Sequence, residues 1–135
     1  MRYLLDANIC IALLNCTSPA ARERLGRYGP EDVGVPAPVA YELYFGAFKS
    51  RRTRENLALL DTFGFEVPPF DVEDARVAGK VRSELEAVGR PLGPYDVLIA
   101  GQALARGLVL VTANRREFDR VTGLTCEDWT RPDQN

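Results

Sequence analysis

The sequence predicts an α/β fold in which a short parallel sheet of about four to five strands is flanked by helices. Short apolar runs alternate with helical stretches along the 135 residues, as expected when helices cover both faces of a parallel sheet. Residues 108–111 form an unbroken apolar run, which is typical of a strand covered on both faces. Asp6 follows the first apolar run directly, and polar residues that follow parallel strands meet at one edge of the sheet.

The first elements are predicted from an apolar run and from helix start signals. Residues 2–5 suggest a short buried strand, and the apolar residues after Asp6 suggest a short helix. Ser18 is a suitable N-cap and Pro19 suits the first helical position, so a second helix should begin there. We expect this helix to end at about Tyr28, because Gly and Pro follow it.

The middle of the chain predicts two strands around two helices. Residues 33–35 suggest the second strand, and Pro38 at a first helical position begins a helix that should reach about Lys49. A further helix is predicted over 53–63 and should end at Gly64. Residues 65–67 then suggest a third strand, before two prolines.

The last part predicts two long helices and the end of the sheet. Asp71 can cap a helix with Asp74 three positions on, and this helix should close at Gly89. A Gly-Pro pair at 93–94 starts the next helix, which should end at Gly107. The remaining predicted elements are a strand at 108–111, a turn or short helix at 115–119 and an edge strand at 124–127.

Composition limits the class of protein. With 46% apolar and 27% charged residues, the chain should form one globular domain over residues 1–135. Asp6 interrupts the only apolar stretch at the N-terminus, so we expect no signal peptide, and no run approaches the roughly 20 residues of a membrane span. The odd set of Cys10, Cys16 and Cys126 indicates reduced packing residues in the cytoplasm. A net charge of −2 argues against a protein that coats nucleic acid non-specifically.

Three acids stand among apolar neighbours: Asp6, Glu42 and Asp96. Glu42 shares its helical stripe with apolar residues, so it should face inward or line a cleft. Asp6 could instead cap the helix after it, and Asp96 could interact with the positive end of its own helix. If the fold gathers all three carboxylates, protonation or a cation must relieve their repulsion.

The absence of histidine points to a metal site built from oxygen. Mg²⁺ or Mn²⁺ suits carboxylate and water ligands, and such a site can hydrolyse a phosphodiester by in-line displacement. A haloacid-dehalogenase-like phosphatase also begins with a strand and an Asp, but it needs a second Asp where this chain has Asn8. The residues therefore favour metal-dependent phosphodiester hydrolysis.

Three segments resemble the PIN-domain nucleases, and specifically the VapC toxins of bacterial type II toxin–antitoxin pairs. They are residues 3–11 around Asp6, residues 39–47 around Glu42, and residues 93–100 around Asp96 with their continuation at 111–118. The likeness extends from residue 2 to about residue 129. It implies the PIN-like three-layer fold.

The resemblance also implies roles for individual residues. Asp6, Glu42 and Asp96 would coordinate Mg²⁺ (or Mn²⁺). Asn114 and Glu117 would complete or orient a second metal position, and Asn8 and Thr112 would be supporting hydrogen-bonding groups.

Two positions depart from the family pattern. Position 7 is Ala7 where the family usually has Thr, and its fourth acidic position is Asn114 here. Glu117 is the best replacement for the missing carboxylate, although it could equally be a surface residue of a short turn. An alternative is therefore a catalytically weak or inactive partner that acts as a co-repressor through its antitoxin.

The implied activity is endonucleolytic cleavage of structured RNA of translation, such as a tRNA anticodon loop or a ribosomal RNA loop. Unpaired loop bases are what proteins read in RNA, which fits. The candidate phosphate contacts are Lys49, Arg51, Arg52, Arg54, Arg115 and Arg116, although those in 49–54 could equally be a solvated helix junction.

The implied partners are a VapB-like antitoxin and a second copy of the chain. DNA would be bound only through the antitoxin, and no membrane is involved. Such antitoxins lay a C-terminal segment across the toxin groove, often with a basic side chain among the acids. The groove and the homodimer surface could be formed by the apolar face of the helix at 53–63 and by four aromatics: Tyr41, Tyr44, Phe45 and Phe48. We expect at least two of these aromatics to pack in the core instead.

Overall fold

The computed structural model describes residues 1–132. The strands are β1 (Tyr3–Leu5), β2 (Val33–Gly34), β3 (Val109–Val111) and β4 (Cys126–Glu127). The helices are α1 (Ala7–Leu14), α2 (Pro19–Leu25), α3 (Ala37–Lys49), α4 (Thr53–Phe63), α5 (Val72–Ala87), α6 (Pro94–Arg106) and α7 (Arg115–Phe118). Within the described range the strands form one parallel sheet in the order β2–β1–β3–β4, flanked by the helices. The predicted α/β class is confirmed.

The helix ends follow the capping signals. The Ser18 hydroxyl accepts a hydrogen bond from the Ala21 amide at 3.1 Å at the start of α2. Asp71 and Asp74 form the predicted capping box at the start of α5. Gly107 ends α6 with a φ of 65°, in the left-handed region that glycine adopts without strain.

Two predicted elements are wrong. α2 ends at Leu25 rather than near Tyr28, whose ring leaves the helix to pack on Tyr3 and Trp129. The strand predicted at 65–67 is absent from the described sheet, where Glu66 makes only an isolated bridge to Gly34. The prolines that follow directly have no amide hydrogen to extend that pairing.

The sheet register brings the first acid next to the end of β3. Leu5 is paired with Val111, and the Asp6 amide donates to the Val111 carbonyl at 2.9 Å. Thr112 is therefore the residue of the neighbouring strand end that lies beside Asp6. Two residues 106 positions apart in sequence meet because parallel strands end on the same side.

α5 and α6 pack in close contact, and this contact sets the position of α6. A Cβ built on Gly101 would lie 2.5 Å from Cβ of Ala78, so the two helices can approach this closely only with glycine at 101. The contact fixes the helix that carries Asp96. No helix within residues 1–132 combines the length and the apolar character that crossing a membrane requires.

The core corrects two expectations about side chains. Cys10 and Cys126 are buried free thiols as predicted, but Cys16 is exposed, with a φ of 54° in the turn after α1. Of four aromatics, at least two were predicted to pack in the core, but all four are exposed: Tyr41, Tyr44, Phe45 and Phe48. The face of α3 that meets the core instead carries smaller side chains: Val39, Ala40, Leu43 and Ala47.

Candidate active site

Asp6 is held by hydrogen bonds on both carboxylate oxygens. Oδ1 accepts from the Ala7 amide at 2.8 Å, which makes Asp6 the N-cap of α1. Oδ2 accepts from the Thr112 hydroxyl at 2.8 Å, and that hydroxyl accepts from the Asn114 amide at 3.0 Å. The side chain is therefore both a helix cap and a fixed carboxylate at the sheet edge, with 7% of its surface exposed.

Glu42 lines a groove between α1, α3 and α4. The groove has a volume of about 320 Å³, and its apolar lining includes Ile11, Leu14 and Leu60. Partial burial and then the charge of Asp6 raise the pKa of Glu42. The prediction that this glutamate lines a cleft agrees with its position, although its side chain is exposed to solvent.

Asp96 lies in the first turn of α6 and is partly buried. Burial raises its pKa to about 6, together with the charges of Asp6, Glu42 and Glu117. The positive end of a helix would favour the ionised form of Asp96. Burial and the neighbouring carboxylates act in the opposite direction, and within α6 the N-cap makes no side-chain capping hydrogen bond.

The neighbouring charges that act on Asp96 are all negative. They come from the end of β1, from α3 and from α7, so the fold brings acids together from distant parts of the chain. These acids make ionisation of Asp96 less favourable, and such a cluster is relieved by a cation or by protonation. The donor set consists of oxygen, which suits Mg²⁺ or Mn²⁺.

The acids are close enough to repel one another without forming a complete ligand set. Among residues 1–132, no three Asp, Glu or Cys side chains are arranged to hold a metal ion. The carboxylates therefore fit a divalent ion in their chemistry and charge.

Asn114, Glu117 and Asn8 lie at the same edge. The exposed Asn114 side chain does not cap α7, whereas its backbone amide bonds to Thr112. Glu117 acts on the pKa of Asp96 and lies 3.9 Å from the Arg120 guanidinium, so it is more than a remote surface residue. The Asn8 side chain accepts from the Ala113 amide at 3.1 Å and thereby ties α1 to the loop after β3.

The predicted basic residues form two exposed groups. One group lies where α3 ends and α4 begins, and the other at the start of α7: Lys49, Arg51, Arg52 and Arg54, then Arg115 and Arg116. The Lys49 ammonium also lies 5.7 Å from the ring centre of Phe45.

Tyr95 and Arg120 did not stand out in the sequence. Tyr95 contacts Tyr41 beside the acids, and Arg120 pairs with Glu117. A tyrosine directly precedes both Glu42 and Asp96, and this repeated pair was the available signal for Tyr95. Arg120 gave no comparable signal, because a lone arginine in a short turn is usually solvated.

The sequence matches the PIN domain family over residues 3–124. It is also 39% identical over 132 residues to the "tRNA(fMet)-specific endonuclease VapC" of Shigella flexneri, across 96% of this chain and 99% of that protein. The chain belongs to the VapC family of PIN-domain proteins. The predicted resemblance to this family is thereby confirmed.

Solved structures of VapC-family complexes share the fold. The chain in "Crystal structure of DNA bound VapBC from Salmonella typhimurium" has a TM-score of 0.89 and 39% identity, covering 96% of this chain and 98% of that one. A VapBC2 structure from Rickettsia felis, "bound to a DNA fragment from their promoter", has a TM-score of 0.88 and 32% sequence identity. It covers 96% of this chain and 99% of that one. PIN-domain nucleases as a class depend on divalent metals, which agrees with the acidic donor set of this VapC-family site.

Proposed function

We propose that this chain is the toxin of a VapBC-type pair and a Mg²⁺-dependent endoribonuclease, with Mn²⁺ as the alternative ion. The observation that carries the proposal is the convergence of Asp6, Glu42 and Asp96 from separate elements, with only negative charges acting on Asp96. A buried acid with a purely structural role would be expected to have a basic partner, as Asp74 has in Arg106. Acids that repel one another in a cleft are typical of a site that binds a cation and then a phosphate.

Asp6, Glu42 and Asp96 would hold the ion, with Glu117 and Asn114 beside them. A bound divalent ion supplies positive charge for the phosphate and for activation of water. The rest of the chain positions the acids. The Ala7 amide and the Thr112 hydroxyl fix both oxygens of Asp6.

Asn8 and Ala7 have different consequences for the site. Asn8 fixes the loop after β3 through the Ala113 amide, and so holds Asn114 near the acids. Ala7 lacks the hydroxyl usual at this position, but its amide still bonds to Asp6. The contacts of Asp6 are therefore kept without a Thr at position 7.

The substrate would be a structured RNA of translation, and initiator tRNA is the first candidate because a relative named for tRNA(fMet) cleavage is 39% identical. A ribosomal RNA loop is the second candidate. Such substrates would place the protein in the cytoplasm. The exposed basic groups would contact phosphates on either side of the cut: Lys49, Arg51, Arg52, Arg54, Arg115 and Arg116.

The antitoxin partner would occupy the groove that Glu42 lines. The groove has apolar walls of Ile11, Leu14 and Leu59, which suits an amphipathic segment. An arginine or lysine of that segment would reach the acids and replace the charge of the ion. DNA would be bound through the antitoxin, which is compatible with solved VapBC structures that contain DNA. A second toxin copy would form a homodimer.

The test is RNA cleavage by the purified chain, freed of antitoxin, with total bacterial RNA and Mg²⁺. New 5′ ends are mapped by sequencing. Asp6→Asn is the variant of choice, because Asn keeps the capping of α1 that Ala would lose. Asp61→Asn, an exposed acid of α4, is the matched control.

We expect discrete cuts that need metal, persist in Asp61→Asn and disappear in Asp6→Asn. A folded, metal-supplied protein that makes no cuts would contradict the nuclease. That result would favour the inactive partner, and Ala7→Thr with Asn114→Asp would then be the first reversions to examine.

A further inference from the structure

Two tyrosines stand beside the acids on two different helices. Tyr41 directly precedes Glu42 on α3, and Tyr95 directly precedes Asp96 on α6. Their ring centres are 5.6 Å apart and the ring planes are tilted by 48°. The tertiary structure therefore joins two aromatic residues that are 54 positions apart in the sequence at the edge of the acidic cluster.

Core packing does not explain this pair. Tyr41 is 55% exposed and Tyr95 is 45% exposed, whereas buried aromatics such as Trp129 and Phe118 are fully covered. The two rings contact each other, and each belongs to the residue that directly precedes an acid, Glu42 or Asp96. The pair is thus a solvent-facing aromatic surface beside the acids.

We propose that the Tyr41–Tyr95 pair is a stacking surface for one unpaired nucleobase of the RNA, next to the phosphodiester that the acids act on. The proposal rests on the proposed nuclease function. Exposed aromatic rings stack on bases of any identity, and unstacked loop bases are the parts of RNA available for such contacts. Both tyrosines have few rotatable bonds, so little ordering is needed when a base binds.

The position of the pair favours a base over another protein surface. Any RNA whose phosphate reaches Asp6, Glu42 and Asp96 must place the bases of the adjoining nucleotides near the residues that border those acids. Tyr41 and Tyr95 are such residues, each next in sequence to an acid. The groove suited to an antitoxin segment is lined by other side chains, namely Ile11, Leu14 and Leu59 among others.

The test combines protein variants with changes in the RNA. A short labelled hairpin is made that contains the cut mapped in total RNA, and abasic residues replace in turn the two nucleotides that flank the cut. An abasic residue removes the base and keeps the phosphodiester. Single-turnover rates and KM are measured for wild type, for the Tyr41→Ala/Tyr95→Ala double variant and for the Tyr41→Phe/Tyr95→Phe double variant.

For wild type we expect one abasic position to lower kcat/KM about tenfold. On the intact hairpin, the double alanine variant should already have a kcat/KM about tenfold below wild type. The abasic residue should lower the kcat/KM of this variant by a further factor of less than about two. The double phenylalanine variant, which keeps both rings, should retain the abasic penalty. Val72→Ala, an exposed apolar residue of α5, should retain it as well.

Equal abasic penalties in wild type and in the double alanine variant would overturn the stacking surface and leave the nuclease intact. A change in oligomeric state of the alanine variant, measured by light scattering, would show that a second copy covers the pair and would also overturn it. If wild type cuts no RNA, both the nuclease and the stacking surface fail. The three results are distinguishable.

Discussion

Asp74 and Asp96 are the same residue type in the first turn of neighbouring helices, yet their surroundings are opposite. Asp74 is 1% exposed and accepts from the Arg106 guanidinium at 3.1 Å and 2.8 Å and from the Asp71 amide at 2.9 Å. Asp96 is surrounded by the charges of other acids. The comparison shows that burial of an acid does not reveal its role, whereas the sign of its neighbours does.

The two pKa shifts express that difference. Burial acts to raise the pKa of Asp74, but the hydrogen bonds from Arg106 and the Asp71 amide, together with the Arg106 charge, outweigh it and hold the pKa below its usual range. Burial also raises the pKa of Asp96, but here the neighbouring negative charges act in the same direction. Together they raise this pKa to about 6. The paired Asp74 therefore contributes to stability. Ionised Asp96 is repelled by its neighbours, and a bound cation would relieve that repulsion.

The largest expected effect is loss of RNA cleavage in Asp96→Asn. The rate should fall by roughly 10³-fold or more, because the amide cannot replace a charged carboxylate in the reaction. The free energy of unfolding without metal should stay the same or rise, because a repelling charge is removed. Cleavage rates and urea unfolding measure the two quantities. A large loss of stability would show that Asp96 resembles Asp74 after all.

The second effect is on stability alone, in Arg106→Gln. This change leaves the Asp74 carboxylate buried without its cationic partner, and should lower the free energy of unfolding by about 3 kcal/mol. Cleavage per folded molecule should stay near the wild-type value, because the pair lies away from the acidic cluster. Urea unfolding with a parallel cleavage assay checks this. Arg82→Gln, in an exposed pair with Glu86, is the control and should change stability by less than about 1 kcal/mol.

The third effect is stabilisation by Mg²⁺. At ten times its dissociation constant, an ion that binds only the folded state should add about 1.4 kcal/mol to the free energy of unfolding. The gain should disappear in Asp96→Asn and persist in Arg106→Gln. Thermal unfolding in EDTA and in Mg²⁺, without any RNA, measures it. Equal gains in wild type and Asp96→Asn would place the ion elsewhere.

The smallest effect is the pH dependence of stability without metal. Because the folded-state pKa of Asp96 is raised, the folded state binds its proton more tightly than the unfolded state does. The free energy of unfolding should therefore fall by about 1 kcal/mol from pH 5 to pH 7, as this proton is lost near pH 6. Asp74, whose pKa is lowered, contributes stability that is lost only at lower pH.

The Asp96→Asn variant is the control for the pH dependence and should show a flatter profile over the same range. Glu42 also has a raised pKa and would account for what remains. A profile that rises from pH 5 to pH 7 in wild type would contradict the repulsion among the acids.

Local signals in the sequence predicted much of the fold. The capping box of Asp71 and Asp74 and the left-handed glycine at 107 depend on neighbours within a few positions, so the sequence contains the whole cause. The strand predicted at 65–67 failed because pairing depends on a distant partner, and Glu66 makes only one bridge to Gly34. Hydrophobic runs alone do not distinguish a strand from an extended connection.

The four aromatics of α3 show a different limit. Periodicity indicates which residues share a face, but it does not indicate which face meets the core when both are apolar. Smaller aliphatic residues took the core face, and the aromatic face was left exposed. The sequence alone could not decide between them, because the decision depends on the space that α1, α4 and the sheet leave.

The sequence by itself determined that an oxygen-based site was available. It has no histidine, and Asp6, Glu42 and Asp96 each stand among apolar neighbours. Only the tertiary structure decided which acids repel and which are paired, because Arg106 reaches Asp74 across a helix packing contact and Thr112 reaches Asp6 across the sheet. Electrostatic effects depend on distance in space, and distances between remote residues are fixed only when the strands and helices pack.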